Sequence, residues 1–400
     1  MVGASEHDRA DLAAEVDLVT LDAGRLARMQ RAMASHDLEA CLFFKPANVR
    51  YTTGSSIMTT YCLGNLVRCA LVPAEGTPIL YEHGGTTHLS SLRAPDVREM
   101  HPWEYSDDPR ADLRAWAGQI ADGLRELGVS SRRLGTDRTA PAPTRALEDR
   151  GLSLVDTDTL TLDARAVKTE PELELLRRNG RLAVAMLERF EHAIVPGVRE
   201  IDLLAELTDE LLRGGGEYLI TRACVSGPNT NPWNLEATDR VVEDGDLVFV
   251  DTDAIGIEGY FADVSRTFLA GDRAPTRAQL DAYRAAYDWL AATRELLGPG
   301  PTMREFSERA PRLPERYRAQ RYECLAHSAG LEDEGPSIAW PEDPHPNPDR
   351  LLEPGMVLCL EVYCGELGGR DGVKLEDQVE ITATGCSVQA PYPFSERLLR

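Results

Sequence analysis

Hydrophobic and polar positions in the first 165 residues alternate between helical and strand-like patterns. An amphipathic helix is predicted over "LDAGRLARMQRAMASHDLE", and a second helix near 111–127. Short apolar strands are predicted at "ACLFF", "RCALVP" and "PILY", and a further one at "RRLGTD". This part of the chain is therefore predicted to form an α/β unit of its own.

The rest of the chain begins with a helix-start signal at "DARAVKTEPELELLRR". Thr169 and Glu172 have the spacing of a capping box, and Pro171 stands in the first helical turn. Helices are predicted over 170–194, 200–213 and 276–297, with strands between and after them. The segment "EGPSIAWPEDPHPNPDRLLEPG" carries six prolines and is predicted to be a surface loop without regular structure.

Composition narrows the classes of partner. A net charge of -23 disfavours nucleic acids and anionic membranes, whose phosphates would be repelled. The N-terminus lacks a signal-peptide pattern, and no stretch approaches the length of an apolar membrane span, so we expect a cytoplasmic protein with no membrane partner. The eight cysteines form no CxxC pair and are predicted to be buried free thiols.

Carboxylates interrupt an otherwise apolar strand–turn–strand segment, "FVDTDAIGIEGYFADVSRTF". A buried carboxylate is costly unless it is paired or coordinated. Alternate residues of a strand share a face, so Asp251 and Asp253 are predicted to point at one site. Asp263 begins the returning strand of the predicted hairpin. Three carboxylates are therefore predicted to converge.

Three more metal-binding side chains lie further along the chain. His327 stands in "ECLAHSAGLEDEG", Glu361 in "MVLCLEVYC" and Glu376 in "GVKLEDQVEIT". Five carboxylates and one imidazole suit iron, manganese, zinc or cobalt, and they carry enough charge for two ions. The alternative is that each acid is a solvated or capping residue at a strand end or on an exposed face. Taken together, the spacing and context favour the metal site.

These segments resemble the metal-ligand signature of the pita-bread superfamily, which includes methionine and Xaa-Pro aminopeptidases, prolidase and creatinase. The resemblance implies an α/β (α+β) fold, with a creatinase-like N-terminal domain over 1–165. It also implies a pita-bread catalytic domain over 166–400 that holds a dinuclear metal site.

Two histidines that the peptidases of this superfamily use are absent. Trp233 in "VSGPNTNPWN" stands in the region of the first, and Asp333 in "GLEDEGP" in the region of the second. The pattern is instead similar to the dimethylsulfoniopropionate lyases of the superfamily. That similarity implies a catalytic base at Asp333 and a pocket tyrosine at Tyr322. The metal ligands that it implies are Asp251, Asp253, Asp263, His327, Glu361 and Glu376.

The implied chemistry is an elimination from a small carboxylate. Metal ions on the substrate carboxylate would acidify the adjacent carbon, so that Asp333 could remove its proton while a sulfonium leaves. Trp233 and Tyr322 could offer π faces to that sulfonium, or could simply pack in the core. Tyr61 stands where the lyases are expected to have tryptophan, and it joins Trp233 as a candidate substrate-binding residue.

Other functions of the same fold remain open. One is a C–N hydrolase, either an Xaa-Pro dipeptidase or an enzyme like creatinase or ectoine hydrolase. Another is a binding module without catalytic activity. For the lyase, iron is the expected metal, with manganese, zinc and cobalt as alternatives. The resemblance also implies a homodimer.

Overall fold

A computed structural model of the chain describes residues 16–344 and 347–400. Residues 1–15, where no signal peptide is expected, and His345 in the proline-rich segment lie outside the described residues. The described part divides into two compact units, Asp17–Arg165 and Ala166–Arg400. Within these ranges, none of the helices combines the length and apolar character needed to cross a membrane.

A six-stranded mixed sheet forms the centre of the first unit. Its strands in chain order are β1 Ala40–Phe43, β2 Cys69–Pro73, β3 Ile79–Glu82, β4 Val97–Glu99, β5 Arg133–Thr136 and β6 Ser153–Asp156. The spatial order is β4-β3-β2-β1-β5-β6. Neighbouring strands are antiparallel from β1 to β3, whereas the β3–β4, β1–β5 and β5–β6 pairs are parallel. The α/β unit that the pattern predicts is thus present.

Within the described residues, seven helices accompany this sheet. They are α1 Leu18–Ser35, α2 Pro46–Thr53, α3 Thr59–Cys62, α4 Thr87–Ser90, α5 Pro109–Glu126, α6 Pro141–Glu148 and α7 Asp158–Ala166. The carboxylate of Asp17 caps α1 by accepting the amides of Val19 and Thr20. Trp116 of α5 is fully buried in the apolar core beside strands β1 to β3. The apolar stripe of the predicted helix near 111–127 therefore packs on the sheet.

The second unit begins with two long helices that the sequence predicts closely. Helix α8 runs Glu170–Ala193 and starts at the predicted capping box of Thr169 and Glu172. Helix α9 runs Glu200–Arg213 and α10 runs Arg277–Arg294. Shorter helices follow at α11 Met303–Arg309, α12 Glu315–Arg318 and α13 Glu396–Leu399.

Antiparallel strands supply the rest of this unit. They are β7 Tyr218–Leu219, β8 Cys224–Ser226, β9 Leu247–Asp251, β10 Ala254–Ile255, β11 Phe261–Ala262, β12 Ser265–Leu269, β13 Ala326–Ala329, β14 Asp333–Ile338, β15 Val357–Gly365, β16 Gly372–Ile381 and β17 Cys386–Val388. They form sheets of order β14-β13-β15-β16-β17, β12-β9-β8 and β11-β10-β7. Apolar side chains of α10 share one core with those of β15 and β16, and those of α8 and α9 share another with β9.

The proline-rich segment differs from its prediction at one end. Its first residues, Glu334 to Ile338, belong to strand β14, although Pro336 lies among them. Strand β14 is at the edge of its sheet, where a residue without an amide hydrogen is tolerated. The prediction of a loop was therefore wrong for this short stretch. All eight cysteines are free thiols, as predicted, and seven of them are buried.

Candidate metal centre

Paired strands bring the predicted ligands of the second unit to one place. Asp251 ends β9, which pairs with β12 so that Asp251 faces Ser265. Glu361 of β15 and Glu376 of β16 are direct cross-strand partners. His327 of β13 lies beside the same strands, opposite Cys359 of β15. Register in these sheets therefore decides which side chains meet.

Asp253 reaches the others by a different route from the one predicted. Strand β9 ends at Asp251, and Asp253 has a left-handed backbone with φ of 39°. Strand alternation therefore does not apply at this residue, because the chain turns between β9 and β10. The Thr221 hydroxyl donates a short hydrogen bond to the Asp253 carboxylate. Left-handed backbone at a non-glycine residue carries strain and is common at functional sites.

In the part of the chain that the structure describes, three overlapping groups of side chains are close enough to hold an ion. In each group, one ligand atom per residue lies within 4.8 Å of the others. The histidine group is Asp263, His327, Cys359 and Glu376, and the aspartate group is Asp251, Asp253 and Asp263. The third group is Asp251, Glu361 and Glu376. It is called the lysine group because the ammonium of Lys374 lies beside it. All six predicted ligands belong to at least one group. Burial raises the pKa of Cys359 well above its usual range, so Cys359 is a neutral thiol.

The imidazole of His327 lies between the acids and Asp333. Its Nε2 is 3.1 Å from Glu361 Oε1, 3.4 Å from Asp263 Oδ2 and 3.7 Å from Glu376 Oε1. Its Nδ1 is 2.9 Å from Asp333 Oδ1. A ligating histidine commonly donates its second N–H to a carboxylate, which fixes the ring and its tautomer. Asp333 has that relation to His327, and its side chain is 53% exposed.

Lys374 is a component of the site that the sequence analysis missed. Its ammonium contacts Asp251 closely and lies 3.0 Å from Glu361 Oε2 and 3.4 Å from Glu376 Oε2. The side chain is fully buried. Lys374 precedes Glu376 by two residues on the same strand, so strand alternation was a signal that could have found it.

Burial and mutual repulsion keep several of these acids protonated. Burial, with repulsion from Asp251, raises the pKa of Asp253 to about 8. Burial, with repulsion from Glu376 and Asp251, raises the pKa of Asp263 well above its usual range. Burial also raises the pKa of Glu376 to about 7, although Lys374 opposes the shift. For Asp251, burial acts in the same direction, but Lys374 outweighs it and the net pKa is lowered.

The donor set fits divalent transition metals. Among the described residues, no hydrogen-bond donor is in position for three buried oxygens: Asp251 Oδ1, Asp263 Oδ1 and Glu376 Oε1. Buried polar atoms of native proteins are normally satisfied, so orphaned oxygens in one place indicate a missing partner. Carboxylate oxygens with one imidazole are the ligands that such metals accept.

The raised pKa values predict how metal binding depends on pH. A metal must displace the protons of Asp253 and Glu376, so Mn²⁺ affinity should rise between about pH 6 and about pH 8.

Without metal, the stability of the fold depends on pH in the opposite direction. The unfolded chain loses these protons near pH 3.8 and pH 4.5, whereas the folded chain keeps them until its higher pKa values of about 8 and about 7, so the free energy of unfolding falls as pH rises through this window. Thermal unfolding measured at about pH 6 and about pH 8 should show a larger Mn²⁺-induced rise in Tm at about pH 8. Equal rises would contradict the prediction.

Aromatic rings form a wall beside the acids. The Trp233 ring centroid is 5.5 Å from that of Tyr322 and 5.8 Å from that of Tyr363. Tyr363 and Lys374 are cross-strand partners, and each is two residues along its strand from Glu361 or Glu376. The Lys374 ammonium lies 5.3 Å from the Trp233 centroid and 5.0 Å from the Tyr322 centroid. The rings thus already face a positive charge. Tyr363 is a second residue that the sequence analysis missed.

Tyr61 belongs to the other compact unit. It lies on the short helix α3, and the residue is 40% exposed. The structure therefore brings together the six predicted ligands, Asp333, Tyr322 and Trp233 within one unit. Tyr61 is outside that unit.

Comparison with known proteins agrees with this architecture. Residues 174–383 match Metallopeptidase family M24, and residues 25–167 match the Creatinase/Prolidase N-terminal domain. The chain is 35% identical to "Dimethylsulfoniopropionate lyase DddP" of Roseovarius nubinhibens, over 96% of this chain and 88% of the relative. It is 33% identical to the protein of the same name from Roseobacter denitrificans, over 96% and 90%.

Solved structures give the same fold. The prolidase from Pyrococcus horikoshii superposes with a TM-score of 0.74 at 20% identity, covering 93% of this chain and 99% of the prolidase chain. The predicted pita-bread superfamily and its creatinase-like N-terminal domain are confirmed. The chain is a metalloenzyme of Metallopeptidase family M24 that carries a Creatinase/Prolidase N-terminal domain.

Proposed function

We propose that this protein is a metal-dependent lyase that cleaves the C–S bond of dimethylsulfoniopropionate or of a closely related small carboxylate. The observation that carries the proposal is the position of Asp333, whose carboxylate lies against the outer nitrogen of His327 and is half exposed. The relatives named dimethylsulfoniopropionate lyase, at 35% and 33% identity, support the same reaction.

The metal centre in this proposal is built from the six side chains described above. Two ions would be held by Asp251, Asp253, Asp263, His327, Glu361 and Glu376, and iron is the metal we propose, with manganese, zinc and cobalt as alternatives. When bound, the ions supply Lewis acidity toward the substrate carboxylate, which makes the hydrogen on the adjacent carbon more acidic. His327 would bind through Nε2, because its Nδ1 faces Asp333.

Asp333 acts as the general base. One of its oxygens accepts the His327 Nδ1–H, and the other is left to take the proton from the carbon next to the substrate carboxylate. The electron pair of that C–H bond forms the new carbon–carbon double bond as the C–S bond on the next carbon breaks, and the electron pair of the C–S bond stays on sulfur. Dimethyl sulfide and acrylate are the products, and the proton remains on Asp333 until solvent removes it.

The aromatic wall serves the leaving group. A sulfonium is a cation without N–H donors, so a π face suits it better than a hydrogen-bond acceptor does. Trp233 and Tyr322 already lie about the distance from the Lys374 ammonium at which cation–π attraction operates. Burial raises the pKa of Tyr322 far above its usual range, so its ring carries a neutral hydroxyl.

The imidazole content disfavours peptide hydrolysis. After residue 193 the chain contains only His327 and His345. A peptidase that moves protons through additional histidines of this domain would not find them in this chain.

A substrate screen tests the proposal directly. The metal-loaded protein would be offered dimethylsulfoniopropionate, ectoine, creatine and Xaa-Pro dipeptides in parallel. We expect dimethyl sulfide by headspace gas chromatography and acrylate by NMR, in equal amounts, from the first compound alone. Hydrolysis of a dipeptide or of ectoine, with no dimethyl sulfide, would replace the lyase by a C–N hydrolase.

We further infer a homodimer, which the family resemblance supports, and a cytoplasmic location, which was expected from the sequence pattern. Light scattering on the purified protein would report twice the mass of the chain.

A further inference from the structure

The ammonium of Lys374 lies among three carboxylates, at a position that also suits a metal ion. Three carboxylates of the lysine group surround its ammonium: Asp251 in close contact, Glu361 at 3.0 Å and Glu376 at 3.4 Å. The same three residues could hold a metal ion, because their oxygens lie within 4.8 Å of one another. Metal–carboxylate bonds are about 2.0–2.2 Å long, so an ion would occupy the space that the ammonium now fills.

The backbone of Lys374 is fixed in place. Its amide donates to Thr267 Oγ1 at 3.1 Å, and its carbonyl accepts from the same hydroxyl at 2.7 Å. Strand β16 is buried along its whole length and pairs with β15 on one side and β17 on the other. Only the flexible side chain can therefore withdraw when another cation arrives.

The histidine group differs in the oxygens that it offers. Among the described residues, His327 is the basic side chain that contacts Asp263. Glu376 turns Oε1 toward His327 and only its other oxygen, Oε2, toward the Lys374 ammonium. An ion can enter there without displacing an ammonium. The two halves share Glu376 and are joined through Asp251 and Asp263 of the aspartate group.

From these contacts we propose that Lys374 is a built-in competitor for one of the two metal positions, so that the ions bind in sequence with unequal affinity. The first ion enters the histidine group. The second enters the lysine group only by displacing the Lys374 ammonium, and it is therefore the weaker and more exchangeable ion. This inference rests on the proposed metal centre and adds to it a residue that regulates its occupancy.

The test measures Mn²⁺ binding without reference to activity. Wild type, Lys374→Met and Lys374→Arg would be freed of metal and titrated with chelator-buffered Mn²⁺, with bound metal counted by elemental analysis. Electron paramagnetic resonance would distinguish isolated Mn²⁺ from spin-coupled pairs. For wild type and Lys374→Arg, we expect one ion to bind before the second.

Methionine has nearly the length of lysine but no charge. In Lys374→Met the second ion should bind at least about 10-fold more tightly, because a repelling unit charge a few ångströms away is gone. Coupled pairs should then form at lower free Mn²⁺. The rise in Tm on adding Mn²⁺ should also be larger than in wild type, since the metal-free variant leaves three acids without their ammonium. If the metal-free variant does not fold, purification in Mn²⁺ followed by graded chelation gives the same comparison.

Lys168→Met is the matched control. Lys168 is also buried, and its ammonium pairs with Glu334 at 3.1 Å and Ser328 at 3.0 Å. Its loss removes a buried ion pair of the same unit without uncovering the lysine group. We expect a lower Tm, but an unchanged ratio of the first to the second Mn²⁺ dissociation constant.

Other outcomes separate the inference from the proposed centre. Two ions of equal affinity in wild type, or an unchanged second affinity in Lys374→Met, would overturn the role of Lys374 while leaving the metal centre standing. A weaker second affinity in Lys374→Met would show that the lysine assembles the site instead of competing for it, and would also overturn the inference. Absence of Mn²⁺ binding in every variant would overturn the proposed centre together with the inference.

Discussion

Asp333→Asn is expected to lower kcat for dimethyl sulfide release by about 10³-fold, within the range usual for loss of a general base. Bound metal should be unchanged. Asparagine keeps an oxygen that can accept the His327 Nδ1–H, but its amide cannot take a proton from carbon. The measurement is turnover at saturating substrate alongside elemental analysis of the same sample.

A second substitution separates the two roles that the geometry allows for Asp333. Asp333→Ala also removes the acceptor for His327, so metal affinity should fall by about 10- to 100-fold, as for other partners of a ligating histidine. If Asp333→Asn loses metal as readily as Asp333→Ala does, the residue orients His327 and another group is the base.

Exchange at the substrate carbon gives an independent readout. With a base present, the hydrogen next to the carboxylate can exchange with D₂O if proton removal is reversible. That exchange should vanish in Asp333→Asn and persist in Asp288→Asn, an exposed aspartate on α10 that serves as the matched control. Full turnover in Asp333→Asn would remove Asp333 from the reaction.

The second large effect is expected from Asp263→Asn. Asp263 belongs to both the histidine group and the aspartate group, so its loss takes a ligand from each. Bound Mn²⁺ should fall from about two ions per chain to below about one, and turnover should fall by about 10³-fold or more, because losing a ligand costs more than losing its outer partner.

Stability distinguishes this loss from misfolding. Burial raises the pKa of Asp263 well above its usual range, so the metal-free protein already holds this side chain neutral. Asparagine replaces it at nearly the same volume, and the metal-free Tm should be unchanged or higher, while the Mn²⁺-induced rise is lost. Asp272→Asn, an exposed aspartate after β12, should behave as wild type. Unchanged metal content in Asp263→Asn would contradict its place among the ligands.

Much of this architecture can be predicted from the sequence because its signals are local. The capping box at Thr169 and the amphipathic stripes of α8 and α9 depend only on neighbouring residues. Carboxylates within apolar strands are equally visible, because they contradict the surrounding pattern. The superfamily follows from those motifs.

What the sequence did not reveal depends on contacts between distant segments. Strands β15 and β16 are buried along both faces, so polarity does not mark the face that carries Glu361 and Glu376 as different from the other face. Tyr363 and Lys374 were missed for that reason.

The route of Asp253 was wrongly predicted because the end of β9 cannot be located to one residue from propensity alone. Pro336 was assigned to a loop because an edge position cannot be recognised without the sheet order.

The direct opposition of Glu361 and Glu376 has an evolutionary consequence. Like charges facing each other across antiparallel strands destabilise a sheet, and here the Lys374 ammonium, within 3.4 Å of both carboxylates, offsets their repulsion. Replacing both acids together with Lys374 by aliphatic side chains would remove a buried cluster of ionisable groups, a change that is often neutral or stabilising. Their joint presence in this chain argues that selection still acts on cation binding, which sets the protein apart from a degenerate scaffold that retains only its shape.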